Sequence, residues 1–227
     1  MLERIVRRHR SLTALFAALA LASATSTLLI AARVAHTRRL TYAFLVFNLV
    51  LAWIPLVFAL AADSFERWRS RAGTVLAVAS TAAWLAFFPN APYVGTDIMH
   101  LRVHDNRMFW LDLTALQAFA WTGLALGFVS LAIVQRLVAR RLGVAASWLF
   151  AMAAIGASAF GIYLGRFRRW NSWDIVRNPV ALLYDAAGTL LHPFANARAI
   201  AFCLGLAAFL FTAYVVVHAW SGLREES

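Results

Sequence analysis

The chain has 227 residues, of which 63% are hydrophobic and 14% charged, and its mean hydropathy is +0.71, so it lacks the polar surface of a soluble globule and a lipid-facing fold is expected. The net charge of +11 comes from 21 Arg and no Lys, scattered over short segments between apolar runs, a pattern that argues against nucleic acid and for membrane topology beside anionic lipid. A single cysteine, Cys203, lies inside an apolar run, which excludes an intrachain disulfide and a cysteine-based metal cage.

A helix needs about 20 apolar residues to cross the hydrocarbon core. Six stretches qualify: Leu12 to Ala32, Tyr42 to Ala62, Ala72 to Phe88, Met108 to Val134, Leu142 to Leu164 and Ala199 to Trp220. The first follows Arg4, Arg7, Arg8 and Arg10 and contains Ala22-Ser23-Ala24, which resembles a signal-peptide cleavage site, but its apolar character continues to Ala32 and suits an uncleaved anchor. Pro89 and Pro92 break the ladder after the third span, where a bend and a loop are expected. Gly123-x-x-x-Gly127 and Gly161-x-x-x-Gly165 have the spacing that lets helices approach closely in lipid, although Gly and Ala are also simply common here. Asn178-Pro179 opens a further helix that runs to Leu191, too short to span and suited to an interfacial or re-entrant position. The expected fold is therefore all-α: one integral membrane domain over residues 1–227, a polytopic bundle with about six transmembrane helices plus that short helix.

Two interhelical stretches hold the side chains that could carry chemistry. In the first, Thr96 is placed to cap a short helix, and Asp97, His100 and His104 follow at i, i+3 and i+7 on one face. Two imidazoles and a carboxylate could bind a divalent metal or act as acid and base, whereas the plainer account is a first-turn Asp with two interfacial histidines. Asp112, just inside the fourth span, is costly unless paired, wet or neutral, so it marks a polar interior or the first turn of its helix. In the second stretch, Arg166, Arg169, Trp170, Asn171, Trp173 and Asp174 either anchor the chain at the headgroups or bind an anionic group, with Arg166 and Arg169 able to pair with Asp97 or Asp112.

With six spans, the third and fifth connections emerge on the same face, so these side chains can converge. The amino terminus, second and fourth connections and carboxyl terminus hold 11 Arg in about 33 residues, against 10 in about 62 on the other side. By the positive-inside rule both termini are expected in the cytoplasm and the polar cluster on the extracytoplasmic face.

The strings Phe88-Pro89-Asn90-Ala91-Pro92-Tyr93 with Thr96-Asp97, and Tyr163-Leu164-Gly165-Arg166-Phe167 with Arg169-Trp170-Asn171-Ser172-Trp173-Asp174, resemble the hallmark segments of a bacterial multi-pass membrane family catalogued as domain of unknown function 1361, over about Tyr42 to Trp220. The resemblance implies a bacterial inner-membrane location and a shared polar region, and it transfers no activity, cofactor or catalytic residue. Three functions then compete: an enzyme or binding protein for an anionic lipid or lipid-linked substrate, a non-catalytic scaffold or assembly subunit, and a small transporter lined by Asp112 and Gln117. No cofactor is identified beyond a divalent metal at Asp97, His100 and His104, and no Walker-type loop, serine triad or zinc-protease motif is present.

Overall fold

The computed structural model describes residues 2–101 and 108–223, with side chains described over 13–101 and 108–220. These residues form α1 (Leu2–Thr37), α2 (Phe44–Glu66), α3 (Arg71–Phe87), α4 (Asn90–Tyr93), a 3₁₀ helix (Val94–His100), α5 (Phe109–Leu142), α6 (Val144–Phe167), α7 (Asp174–Arg177), α8 (Pro179–Leu191) and α9 (Ala197–Leu223). Six helical stretches are long and apolar enough to cross a membrane, and no strand occurs among the described residues. The protein is thus an all-α, multi-pass membrane protein, and α8 is a 13-residue apolar helix too short to span.

Two segments differ from expectation. α1 continues to Thr37, past the end of the apolar run, which puts Arg33 inside the helix rather than in a connection. α3 does end at Phe87, with Phe88 and Pro89 in a turn as the prolines lead one to expect, but the chain then resumes as α4 and the 3₁₀ helix in place of the expected loop. Pro92 is the third residue of α4, where the backbone N–H of any residue would lack an intrahelical acceptor, so proline loses nothing there. Helical geometry is already established at Val94, so Thr96 is no cap; its hydroxyl donates to the Tyr93 carbonyl at 2.7 Å.

Backbone contacts divide the chain into two compact units. The first comprises Met1–Leu56 and Asn90–Val129. Within it α5 approaches α4 at Gly123, where a Cβ would lie 2.5 Å from the Ala91 carbonyl oxygen and 3.0 Å from Val94 Cβ, so only glycine permits this spacing. Ser26 and Thr122 hydroxyls meet at 3.2 Å, tying α1 to α5, and Trp53 Nε1 donates to Ser23 Oγ at 3.1 Å, tying α2 to α1.

The second unit comprises Val57–Pro89 and Ser130–Ser227. The fully buried Trp84 stacks on Phe88 and Phe150 and donates from Nε1 to Ser130 Oγ at 3.1 Å, which satisfies its one polar atom. α6 packs along α9, and Tyr214 of α9 donates to Gln135 of α5. Gly161 receives Pro89, whose Cγ lies 2.8 Å from where a Cβ would be. α8 exposes Val180, Leu183, Tyr184 and Leu191, an apolar surface suited to the headgroup boundary.

Candidate functional site

The buried charges of the first unit gather where α1 ends, α2 begins, the 3₁₀ helix lies and α5 begins. Arg33, one turn from the C-terminus of α1, meets Asp112 in the first turn of α5, and each charge favours the helix end it occupies. The pair is two-pronged: Nε donates to Oδ1, and Nη2 donates to Oδ2 at 3.2 Å. Its side chains are only 7% and 3% exposed. Removing such charges from water costs several kcal/mol per ion, roughly offset by the bidentate geometry, so the pair fixes helix register more than it adds net stability. Tyr42 supports it from α2's side, with its ring centroid 4.6 Å from Arg33 Cζ, a cation–π contact strengthened by burial. The Tyr42 hydroxyl donates to the His100 carbonyl at 3.0 Å and so links the pair to the 3₁₀ helix.

Asp97 is 1% exposed and accepts from Asn48 Nδ2 at 2.8 Å. His100 is exposed, with its ring edge-on to Phe44 at 5.2 Å. His104 lies outside the described residues, and among the described ones no three His, Cys, Asp or Glu side chains gather at metal-binding distance. Among the described residues Arg33 Nη1 is buried with no hydrogen-bond partner, an orphan donor inside an otherwise satisfied pair. Gln117 is exposed rather than lining the cluster.

In the second unit the stretch after α6 is organised by a different arginine from those the sequence singles out. Arg169 takes the left-handed conformation, φ 62°, which ends α6 and lets the Trp170 N–H bond back to the Leu164 carbonyl at 3.2 Å. That turn directs Arg168 onto Asp185 of α8, with Nε donating to Oδ2 at 3.0 Å and Nη2 to Oδ1. Trp170 Nε1 donates to the same carboxylate at 2.8 Å. The Arg168 hydrogen bond, helped by Trp170, holds Asp185 below the usual carboxylate range against its partial burial, and Asp185 raises the Arg168 guanidinium in turn. Asp174 accepts from the Asn171 backbone N–H at 2.7 Å and closes the turn into α7, which Trp173 precedes. Arg166 is half-buried and Arg169 exposed. The partner the structure gives Asp112 is Arg33.

The family described as "Protein of unknown function (DUF1361)" matches residues 47–213, which is most of the chain. The chain belongs to this family. No curated protein and no solved structure matches it. Within the DUF1361 match lie Asn48, Asp97, Asp112, Arg168 and Asp185, whereas Arg33 and Tyr42 precede it. The buried pair of this DUF1361 chain therefore joins a matched residue on α5 to an unmatched one on α1. Sequence reasoning missed Arg33, Asn48 and Asp185 as site residues. The usable signal for Arg33 was its charge directly abutting an apolar run, and for Asp185 a lone carboxylate on an apolar helix.

Proposed function

We propose that the protein is a non-catalytic membrane subunit, a scaffold or assembly factor, whose span-end charges serve as internal clamps between helices. The observation that carries this reading is the Arg33–Asp112 pair, buried and bidentate, which joins the last turn of α1 to the first turn of α5. Asp97 with Asn48, and Arg168 with Asp185 and Trp170, repeat the theme of a carboxylate held by donors from another element. The density of arginine supports a location in the bacterial cytoplasmic membrane with both termini inside.

A second reading has one observation in its favour. Among the described residues Nη1 of Arg33 is a charged donor lacking an acceptor, and an anionic group of a lipid or lipid-linked ligand would complete it. The two readings separate on the double variant Arg33→Met with Asp112→Leu, because a clamp can be replaced by packed apolar side chains at little or no cost, whereas an anion site cannot. Native mass spectrometry and thermal unfolding of the natural chain and the variant are expected to show the same bound species and the same Tm. Loss of an anionic species from a variant that unfolds at the natural temperature would overturn the scaffold in favour of the ligand site.

A further inference from the structure

At the junction where α2 ends, α3 begins and α5 ends, all within the second unit, five arginines meet two carboxylates. Asp63 accepts from Arg67 and Arg140, and Glu66 accepts from Arg141 through two nitrogens, Nε at 2.9 Å. Both acids are thereby neutralised. Arg69 and Arg71 have no carboxylate partner among the described residues, so the junction carries surplus positive charge. It also holds the start of α3, capped by Ser70 through Gly73 N–H at 3.0 Å and without an acidic residue in its first turn. The helix dipole there adds to the arginines and is balanced by nothing on the helix itself.

Two neighbouring hollows meet at this point. One is an open cleft of about 600 Å³ lined by Arg69, Ser70, Arg71, Thr74 and Arg141. The other is a groove of about 320 Å³, walled by Ala77, Val78 and Leu85 of α3 and by Val134 and Leu137 of α5. Glu66 and Arg141 line both, so the basic cleft and the apolar groove adjoin at this ion pair. From Thr74 to Leu85 the axial rise of α3 is about 16 Å, close to half the ~30 Å hydrocarbon core, that is, one leaflet. A surplus of phosphate-binding charge at the water boundary, continued by an apolar groove one leaflet deep, has the shape and chemistry of a single amphiphile.

We propose that this junction is a binding site for an anionic phospholipid, whose phosphate is held by Arg69 and Arg71 at the start of α3 and whose acyl chain lies along the groove between α3 and α5. Arg is suited to this task because its planar fork engages two phosphate oxygens at once. The carboxylates of Asp63 and Glu66 fix Arg140 and Arg141 as the walls of the cleft and leave Arg69 and Arg71 to the ligand. The site stands on different residues from the Arg33–Asp112 clamp and does not depend on the scaffold reading.

The test uses the full-length protein in a neutral detergent, titrated with dioleoyl phosphatidylglycerol, dioleoyl phosphatidylcholine or inorganic phosphate and followed by native mass spectrometry. Arg69→Gly with Arg71→Gln removes both charges and suits the left-handed backbone at position 69, φ 48°, so the fold is retained. Val78→Trp fills the groove from an exposed position without changing charge. The expected result is preferential retention of phosphatidylglycerol, weakened about thirtyfold in the double arginine variant, and weakened in Val78→Trp with Tm unchanged. Equal retention of the two lipids by the natural chain, or undiminished phosphatidylglycerol binding by the double variant, would overturn the site. Full displacement by millimolar phosphate together with indifference to Val78→Trp would overturn the lipid and leave a soluble-anion site.

Discussion

Arg33–Asp112 in the first unit and Arg141–Glu66 in the second are the same chemical object, a guanidinium gripping a carboxylate with two nitrogens, in opposite surroundings. The first is 7% and 3% exposed, the second 40% and 23%. Burial raises what each charge loses from water and what it loses if its partner is removed, whereas exposure lets water replace either partner at little cost. The buried pair is therefore a commitment of the fold, and the exposed one a positioning device at the rim of a cleft.

The largest effect expected from this contrast is that of Asp112→Ala. It strands the Arg33 guanidinium in the core and should cost about 3–5 kcal/mol, read as a drop in thermal unfolding temperature in detergent or as loss of the protein from the membrane fraction. Glu66→Ala leaves Arg141 in reach of water and should cost no more than about 1 kcal/mol. Equal losses would mean that burial does not distinguish the two pairs.

The contrast can be sharpened without charge. Gly123 packs α5 against the backbone of Ala91, and Ala at this position must push a helix aside, at about 1–3 kcal/mol. Gly205 of α9 has no atom of the described residues within 4 Å of where a methyl group would sit, and Ala there should be neutral or stabilise by up to about 1 kcal/mol through helix propensity. Unfolding temperatures moving in the same direction for both would show that the α4–α5 approach is not constrained.

The spans were legible because the hydrocarbon thickness and the 1.5 Å rise leave few ways to place an apolar run, and Asn178-Pro179 marked the start of α8 to the residue. The partners were not. Arg33 looks like the first residue of a connection, because apolarity stops at Ala32, while the helix continues on polar residues to Thr37. Its carboxylate lies 79 positions away, and helical periodicity carries no information about such distances. After α6 the sequence offers three arginines, and which of them reaches Asp185 depends on the left-handed turn at Arg169, a conformation that pattern reading does not expect of arginine. Gly123 was visible as a spacing, but what it packs against was not. Asp97 and Asp112 were identifiable as costly residues near lipid, while Asn48, a neutral amide inside an apolar helix, gave no sign of holding one of them.

The smallest effect expected is also the one with a defined pH direction. Asp185 lies outside the spanning helices, and its carboxyl is held below the usual range by Arg168 and Trp170, so its contribution is fully present above the unfolded-state value near 4 and is lost as pH falls through the lower folded value. Arg168, raised from an already high value, stays charged throughout that interval. Because Arg168 is 48% exposed, the pair is expected to add less than about 1 kcal/mol, felt as local attachment of α8 and not as global stability. Hydrogen exchange of the α8 amides at pH 6 and again near pH 3, corrected for intrinsic exchange, should show protection falling in the natural chain. In Asp185→Asn the protection should be lower at pH 6 and insensitive to the acid step. If the natural chain kept its α8 protection at pH 3, the exposed pair would be incidental to holding the helix, and the Trp170 ring with the apolar face of α8 would suffice to seat it.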